Sequence, residues 1–180
     1  MDIYFKTVNE YEIDEGQRHQ ILALLKECFP GYFDCNIFFK QISKERILAY
    51  HKNRLIGQLG LENRVIRIGN ELVSIFGVVD LCVYEKYRLQ GVATELLKII
   101  EEKAKRNKVN FCLLFADEHN LYLKNGYSLV NNECVWLGIE DNYSIGIIKR
   151  KLNNCMLVKK ITGNTPWDNS ASIDLLGHIF

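Results

Sequence analysis

The sequence predicts an α/β or α+β fold in which one sheet of mixed strands carries helices on its faces. The apolar strand Val78–Val83 leads through a glycine turn into an amphipathic helix pattern over Thr94–Asn107. A second apolar strand, Val109–Ala116, follows this helix, and a strand–helix–strand order is typical of parallel neighbours. Short strand patterns before and after this unit supply the remainder of the sheet.

The N-terminal segment is predicted to form an edge strand, Ile3–Val8, and two helices. Glu15–Cys28 is the first helix, and Pro30-Gly31 ends it. Its apolar residues lie on one helical stripe: Ile21, Leu22, Leu24, Leu25 and Cys28. The aromatic-rich segment Asp34–Ser43 is predicted as a second short helix. Three of its side chains are expected to face inward: Phe38, Phe39 and Ile42.

The following strands and turns are predicted from alternation and turn residues. In the middle of the chain they are the strands Ile47–Tyr50, Leu55–Arg67 and Leu72–Val83, with turns at Lys52–Arg54 and Ile68–Glu71. A bend in the long strand is expected at Gly57 or Gly60. Beyond the central unit, a short helix over Asn120–Lys124 stops at Gly126. The later strands are Tyr127–Val130, Cys134–Gly138, Ser144–Ile148 and Met156–Ile161, and a tail follows them.

Length and composition indicate one domain over residues 1–180 and narrow the function classes. The 180 residues are 48 % hydrophobic, which is enough for a core, and the formal net charge is only +1. A near-neutral balance argues against a general nucleic-acid binder. The sequence contains no apolar run long enough for a membrane span and no signal-peptide pattern at its start, so a cytoplasmic protein is expected.

The six cysteines predict neither a metal site nor a disulfide framework. They are Cys28, Cys35, Cys82, Cys112, Cys134 and Cys155. They form no Cys-x-x-Cys pair, and none stands beside a histidine at metal-ligand spacing. They are therefore expected to be reduced core thiols in a reducing compartment, and no metal is predicted.

The segment Arg88–Ala93 (Arg-Leu-Gln-Gly-Val-Ala) carries the strongest functional signal. A strand that passes through a tight glycine turn into a helix directs several backbone N–H groups at one point, which is a site for phosphate. The segment matches neither the nucleotide-hydrolase phosphate loop nor the dinucleotide-binding fingerprint. The alternative is a plain strand-to-helix turn in which Gly91 supplies an unusual backbone angle.

The segment resembles the acyl-CoA pyrophosphate loop of the GNAT superfamily of N-acetyltransferases, Arg-x-x-Gly-x-Gly/Ala. As in that family, an apolar strand end (Leu81–Val83) and an aromatic (Tyr87) precede the loop, and a leucine-bearing helix follows it. The family's second motif, Tyr-x-x-x-Gly-aromatic after an apolar strand, corresponds to Tyr122–Tyr127. Leu89 departs from the pattern, because glycine is frequent there, and Ala93 stands where glycine is commoner.

The resemblance implies a GNAT-like fold: a mostly antiparallel sheet with a parallel, splayed central strand pair, and a core motif over residues 76–130. It extends to the aminoglycoside 2′-N-acetyltransferase branch through Phe29–Phe33 and Ile66–Asn70. The implied cofactor is acetyl-CoA. Its pyrophosphate would meet the amides of Leu89–Thr94 and its pantetheine arm would follow the strand end, where the amide of Cys82 or Val83 faces the thioester oxygen. The implied cofactor-binding residues are Leu81, Cys82, Val83, Arg88, Leu89, Gln90, Gly91, Val92, Ala93 and Thr94.

Tyr122 resembles the general acid of the family, which protonates the leaving thiolate. The alternative is an aromatic on a short helix with no chemical role. The base stays open. Asp80 lies in an apolar strand, but strand alternation puts it on the face opposite Val79 and Leu81, which favours a structural role. Glu62, His51 and a chain of waters are the other candidates.

The acceptor is expected to be a small-molecule primary amine, with aminoglycoside-like polyamines first. Asp34 and Phe38 lie in the segment that walls the acceptor site in the family, although a packed aromatic turn explains them equally. The apolar chain end is expected to dock, which would bring the Phe180 carboxylate to the amine. Other interpretations are a peptide or protein acceptor, a non-catalytic acyl-CoA sensor, and a partner-binding domain with an accidental motif. No nucleic-acid or membrane partner is expected, and a homodimer is left open.

Overall fold

The computed structural model describes residues 2–180, which form ten strands and three α-helices. The helices are α1 (Glu15–Cys28), α2 (Val92–Arg106) and α3 (Asn120–Lys124). The strands are β1 (Ile3–Asn9), β2 (Glu45–His51), β3 (Arg54–Ile68), β4 (Glu71–Val83), β5 (Phe111–Phe115), β6 (Ser128–Val130), β7 (Glu133–Glu140), β8 (Tyr143–Lys151), β9 (Met156–Lys160) and β10 (Ile173–His178). They form one mixed, mostly antiparallel sheet, which confirms the predicted fold class.

The described chain divides into two compact units. Unit 1 runs up to Glu62 and resumes over Val78–Ile99, and unit 2 comprises Asn63–Gly77 and Ile100–Phe180. Within residues 2–180, no helix has both the length and the apolar character that a bilayer span requires.

Unit 1 is built around α1 and the antiparallel strands β1, β2 and β3. Asp14 caps α1: its carboxylate accepts from the Gln17 N–H at 2.8 Å, and the Gln17 side chain accepts from the Asp14 N–H. The helix bounds match the prediction, and three stripe residues are fully buried: Ile21, Leu24 and Leu25. The β2–β3 ladder shifts register between Ala49 and Tyr50, opposite Gly57, so the predicted bend lies at the first of the two glycines.

The predicted helix over Asp34–Ser43 is wrong. The segment is irregular, and the side chains of Phe39 and Ile42 are 49 % and 44 % exposed instead of facing inward. Ile37 and Ser43 are the buried residues of this segment, and Ile37 packs with the preceding Phe33 in the hydrophobic cluster that contains the buried side of α1. The Ile37 carbonyl accepts a hydrogen bond from Arg46, not from a helical neighbour, so tertiary contacts override the local pattern.

The strand order along the sheet is β6-β9-β5-β4-β3-β10-β7-β8, and unit 2 contains β5 to β10 with the end of β3 and the start of β4. β4 and β5 are parallel, with Ile75 opposite Phe111 and Gly77 opposite Leu113, so the predicted parallel neighbours are confirmed. β3 and β4 are joined at Gly69, where φ is +56°, as expected for a tight hairpin. The predicted short helix α3 and its stop at Gly126, with φ +80°, are also confirmed.

The chain end is not a simple tail. Ile173–His178 forms β10, which lies between β3 and β7. It pairs antiparallel with β3 (Ile173 opposite Ile68) and parallel with β7 (Ile173 opposite Cys134). Ile173 and Leu175 are fully buried in the core of this unit. The local pattern does not predict this strand, because it forms only by pairing with β3 and β7, which lie far away in the sequence.

Candidate active site

A short, anchored loop joins β4 to α2 in unit 1. A 3₁₀ turn over Glu85–Tyr87 follows the strand. The Tyr84 N–H donates to the Ile56 carbonyl at 3.0 Å, and Nε of Arg88 donates to the Val83 carbonyl at 3.1 Å. These bonds fix the start of the loop to the neighbouring strand and to its own strand end.

The loop backbone then bends through two left-handed residues. Leu89 has φ +59° and Gly91 has φ +83°. A left-handed leucine costs about 1–2 kcal/mol, and the Leu89 side chain is fully exposed, so side-chain packing does not offset that cost. Such bends turn backbone N–H groups to one side, and the N–H groups in the first turn of an α-helix point out of its N-terminal end. A Cβ on Gly91 would meet nothing within 4 Å. No protein atom therefore occupies the space next to this glycine.

Close packing fixes the strand end that leads into the loop. A Cβ on Gly57 of β3 would lie 3.0 Å from Cγ2 of Val83 and 3.1 Å from the Cys82 carbonyl oxygen. It would also lie 3.2 Å from Cγ1 of Val92, in the first turn of α2. Glycine at this position therefore lets β3, the end of β4 and the start of α2 approach one another closely.

Asp80 interrupts the regular geometry of β4. Its φ is +50°, so the alternation of side chains assumed from the sequence does not hold at this residue. Burial raises the pKa of its carboxyl to about 6, against a lowering by Arg46 and with a further rise from Glu10. An acid with this pKa changes charge close to neutral pH, which is the property a proton acceptor needs.

A buried polar network lies behind this residue, and nothing in the sequence pattern indicated it. Arg46 in β2 is fully buried, and its Nε donates to Oε2 of Glu10 at 2.7 Å. Its Nη2 donates to the Ile37 carbonyl at 2.6 Å and its Nη1 to Oε1 of Gln58 at 2.9 Å. Gln58 in turn donates through Nε2 to the Asp80 carbonyl oxygen at 2.5 Å.

Two thiols lie beside the strand end. Sγ of Cys28, the last residue of α1, is 3.7 Å from the Val83 carbonyl oxygen. A hydrogen bond with the Cys82 thiol lowers the pKa of Cys28 to about 7, against the effect of burial and with help from Arg88. Burial raises the pKa of Cys82 well above its usual range. All six cysteines are free, as predicted, but Cys35 is exposed and is not a core thiol.

Tyr122 lies on α3 in unit 2, half-buried against a second tyrosine. The ring centroids of Tyr122 and Tyr127 are 6.0 Å apart, edge to face. The Tyr127 hydroxyl is buried with no hydrogen-bond partner among the described residues, and burial raises its pKa well above the usual range. Nζ of Lys159 anchors the end of α3, since it donates to the Asn125 carbonyl and to Oε1 of Glu101, each at 2.6 Å.

Phe180 packs within unit 2 and does not extend into solvent. A Cβ on Gly77 would lie 2.6 Å from the Phe180 ring, which also contacts Phe115 edge to face at 5.5 Å. The Arg64 guanidinium lies 5.0 Å from the ring centroid and donates through Nη1 to the His178 carbonyl at 2.6 Å. The apolar chain end was expected to pack against the fold, and the Phe180 ring does so.

The remaining candidates occupy less constrained positions. Asp34 is exposed and Phe38 is half-buried in the irregular segment of unit 1. His51 lies at the end of β2, where its Nδ1 is 3.0 Å from the Asp2 carbonyl oxygen. Glu62 is half-buried in β3. All of the predicted cofactor-binding residues are in unit 1, whereas Tyr122 and Phe180 are in unit 2.

Residues 11–130 match the family described as the acetyltransferase (GNAT) domain. The chain belongs to this family. The matched range includes the whole of α1, the loop after β4, α2 and α3, and so contains both motifs that carried the resemblance. GNAT domains use acetyl-CoA, and the chain is accordingly an acyltransferase domain with acetyl-CoA as its cofactor.

Solved structures support the GNAT fold. The chain is similar to the GNAT N-acetyltransferase YhbS of Escherichia coli in complex with CoA, with TM-score 0.66, 16 % identity and coverage of 96 % of this chain and 89 % of that one. The chain is also similar to Arabidopsis thaliana NAA60 in complex with a bisubstrate analogue. The TM-score is 0.63, the identity is 17 %, and the match covers 91 % of this chain and 100 % of that one. For a GCN5-related N-acetyltransferase from Anabaena variabilis, the TM-score is 0.62 and the identity is 22 %. That match covers 73 % of this chain and only 34 % of the longer one.

The GNAT loop of this chain has two residues with left-handed backbone angles, Leu89 and Gly91. Glycine at position 91 keeps the space beside the loop clear of a side chain. The left-handed φ of Leu89 also explains why glycine is frequent at that position of the family, and this chain pays for a leucine there with strain. Among residues 2–180, no group of three or more His, Cys, Asp or Glu side chains is arranged to hold a metal ion.

We expect Asp80→Asn to stabilise the protein in a pH-dependent way. Because the folded-state pKa is raised from 3.8 to about 6, stability falls as pH rises from about 4 to 6, and the ionised carboxylate then costs up to about 3 kcal/mol. Asparagine cannot ionise and tolerates the left-handed backbone. Urea unfolding should show a gain of about 2–3 kcal/mol near pH 8 and little gain near pH 4. An equal gain at both pH values would contradict the burial of this charge.

Proposed function

We propose that the chain is an N-acetyltransferase that moves the acetyl group of acetyl-CoA to a primary amine of a small molecule. Aminoglycoside-like and other polyamine acceptors head the list, on the resemblance at Phe29–Phe33 and Ile66–Asn70. The observation that carries the proposal is the family match over residues 11–130, and the open space beside Gly91 in the loop after β4 supports it. We place the activity in one domain over residues 1–180. The six free cysteines support a cytoplasmic location.

The loop residues are proposed to bind the pyrophosphate. Backbone N–H groups of Leu89–Thr94 would donate to its oxygens, helped by the positive end of α2. Arg88 is an exposed residue whose Nε is held by the Val83 carbonyl, and its guanidinium is proposed to add charge and hydrogen-bond donors for a phosphate oxygen. The pantetheine arm would follow the backbone of Leu81–Val83 as an added strand.

Tyr122 is proposed as the acid that donates its phenolic proton to the departing thiolate. Acetyl-CoA, when bound, supplies the activated acetyl group. A free phenol titrates near 10 and a thiol near 8.5, so the donation is uphill by roughly 2 kcal/mol unless the attacking nitrogen loses its proton at the same time. The edge-to-face contact with Tyr127 holds the Tyr122 ring in place for this role.

Two alternative functions have specific support. Similarity to NAA60, a structure solved with a bisubstrate analogue, keeps acetylation of a peptide or protein amine open. A non-catalytic acyl-CoA sensor would need the same loop but no acid, and the presence of Tyr122 favours catalysis over that interpretation.

The test is formation of an acetylated amine when the protein is mixed with acetyl-CoA and a panel of amines. The panel should contain aminoglycosides, linear polyamines and peptides with free N-termini. A thiol reagent would also react with the exposed Cys35 and with Cys28, whose pKa is about 7, so acetylated product should be measured by mass spectrometry. Acetylation of a small amine supports the proposal. Tight CoA binding with no product from any acceptor would support the sensor.

Deleting Ile179 and Phe180 is expected to raise the acceptor KM about tenfold while the Kd for CoA stays unchanged. The proposed reason is displacement of the chain-terminal carboxylate by two residues, from Phe180 to His178, which takes it away from the position where it would bind the cationic amine of the acceptor through a charge-assisted hydrogen bond. The deletion leaves β10 complete. Phe180→Leu is the matched control, since it removes the aromatic ring but keeps the terminal carboxylate at residue 180. An unchanged KM after the deletion would exclude the carboxylate from acceptor binding.

A further inference from the structure

The peptide after Asp80 needs a hydrogen-bond donor from outside the regular ladder. A left-handed residue inside a strand rotates the following peptide group, and its carbonyl oxygen then has to be satisfied elsewhere. Nε2 of Gln58 reaches the Asp80 carbonyl oxygen at 2.5 Å. Gln58 is fully buried, so water does not offer a substitute for this bond.

Arg46 determines which end of the Gln58 amide faces Asp80. A guanidinium group has only donors, so it must face the amide oxygen of Gln58, which it does at 2.9 Å. The NH₂ group of Gln58 is thereby directed at the Asp80 carbonyl, with Sγ of Cys82 3.9 Å away. The opposite orientation would place donor against donor and acceptor against acceptor.

Arg46 is held in turn by groups from two further segments. Glu10 comes directly after β1, and its carboxylate accepts two hydrogen bonds from the Arg46 guanidinium, at 2.7 and 3.4 Å. The Ile37 carbonyl accepts another at 2.6 Å. A fully buried, charge-assisted network of this kind is rigid because any movement leaves a charge unpaired. The orientation of Gln58 is therefore built into the core of unit 1.

We propose that Gln58 is a positioning residue for the strand segment that holds the acyl donor. By binding the Asp80 carbonyl, it fixes the peptide that precedes Leu81. It thereby sets the direction in which Leu81–Val83 presents backbone groups to the pantetheine arm. Gln58 acts through this backbone and has no contact of its own with the cofactor. The inference depends on the proposed use of Leu81–Val83.

Gln58→Glu tests the proposal because it replaces the NH₂ donor of the amide by an oxygen and keeps the shape of the side chain, although it also adds a buried charge beside Arg46. The introduced carboxylate still accepts from Arg46, but it cannot donate to the Asp80 carbonyl. We expect the Kd for CoA, measured by calorimetry, to rise about tenfold, because one buried hydrogen bond is lost. The Kd for adenosine 3′,5′-bisphosphate, a fragment without the pantetheine arm, should stay within twofold. This split distinguishes strand positioning from general damage.

Gln58→Leu is a second variant in case the buried carboxylate prevents folding. It should also weaken the binding of CoA and leave the binding of adenosine 3′,5′-bisphosphate unchanged. Asn153→Asp makes the same amide-to-carboxylate change in an exposed turn of unit 2 and should alter neither affinity. Equal weakening of both ligands, or no weakening of CoA, would overturn the proposal while the proposed function stands. If the unmodified protein bound neither ligand, the proposed function would fail and this inference with it.

Discussion

Gly91→Ala is expected to weaken CoA binding by at least about 100-fold. The glycine has φ +83° and open space where a Cβ would be built, so the methyl group would enter the region proposed for the pyrophosphate. Losing two charge-assisted backbone hydrogen bonds, at about 1.5–3 kcal/mol each, is sufficient for this effect. Calorimetric titration with CoA measures it directly.

Gly31→Ala is a closely matched control for Gly91→Ala. Gly31 also has φ +83° and no atom within 4 Å of a built Cβ, so both variants incur the same backbone strain. The free energy of unfolding should therefore fall by a similar amount in both variants, about 1 kcal/mol. Only Gly91→Ala should lose affinity for CoA. Similar CoA affinities in the two variants would mean that the loop does not bind the phosphates.

Tyr122→Phe is expected to lower kcat by about 100-fold to 10,000-fold, which is the usual contribution of a positioned general acid. The Kd for CoA should not change, because the substitution removes only the phenolic oxygen. The measurement is initial rates at saturating acetyl-CoA with whichever amine the panel identifies. Turnover equal to that of the unmodified protein would exclude Tyr122 as the acid.

Tyr127→Phe removes a phenolic oxygen from the neighbouring ring and provides the comparison. The Tyr127 hydroxyl is buried and has no hydrogen-bond partner in the described chain, so its loss should not lower stability. We expect kcat to stay within about twofold, because no role in proton transfer is assigned to this group. A large fall in both variants would point to disturbed packing of the two rings, not to a lost acid.

Local patterns predicted those parts of the fold that depend on nearby residues. The α1 helix was predicted to the residue, because its stripe and its Pro30-Gly31 stop lie within a few turns of one another. The loop at Gly91 was recognisable for the same reason, since strand, glycine and helix are contiguous. Asp34–Ser43 was mispredicted because partners far along the chain decide which of its side chains are buried.

The polar interior was the part that sequence could not predict. Arg46 stands beside Glu45 at the start of a strand and looks like a solvated charge, yet it is fully buried. Its burial depends on Glu10 and Gln58, which no spacing rule connects with it. The left-handed conformation of Asp80 could not be predicted either, because the sequence around it has the pattern of a regular strand.

The position of β10 has a consequence for how the chain is made. β10 lies between β3 and β7, and its partner Ile68 is synthesised about a hundred residues before Ile173. While a nascent chain is still attached to the ribosome and lacks β10, the facing edges of β3 and β7 have no strand between them. Long-range closure of this kind is slow and exposes aggregation-prone edges. Translation arrest shortly before β10 should therefore yield chains that depend on chaperones.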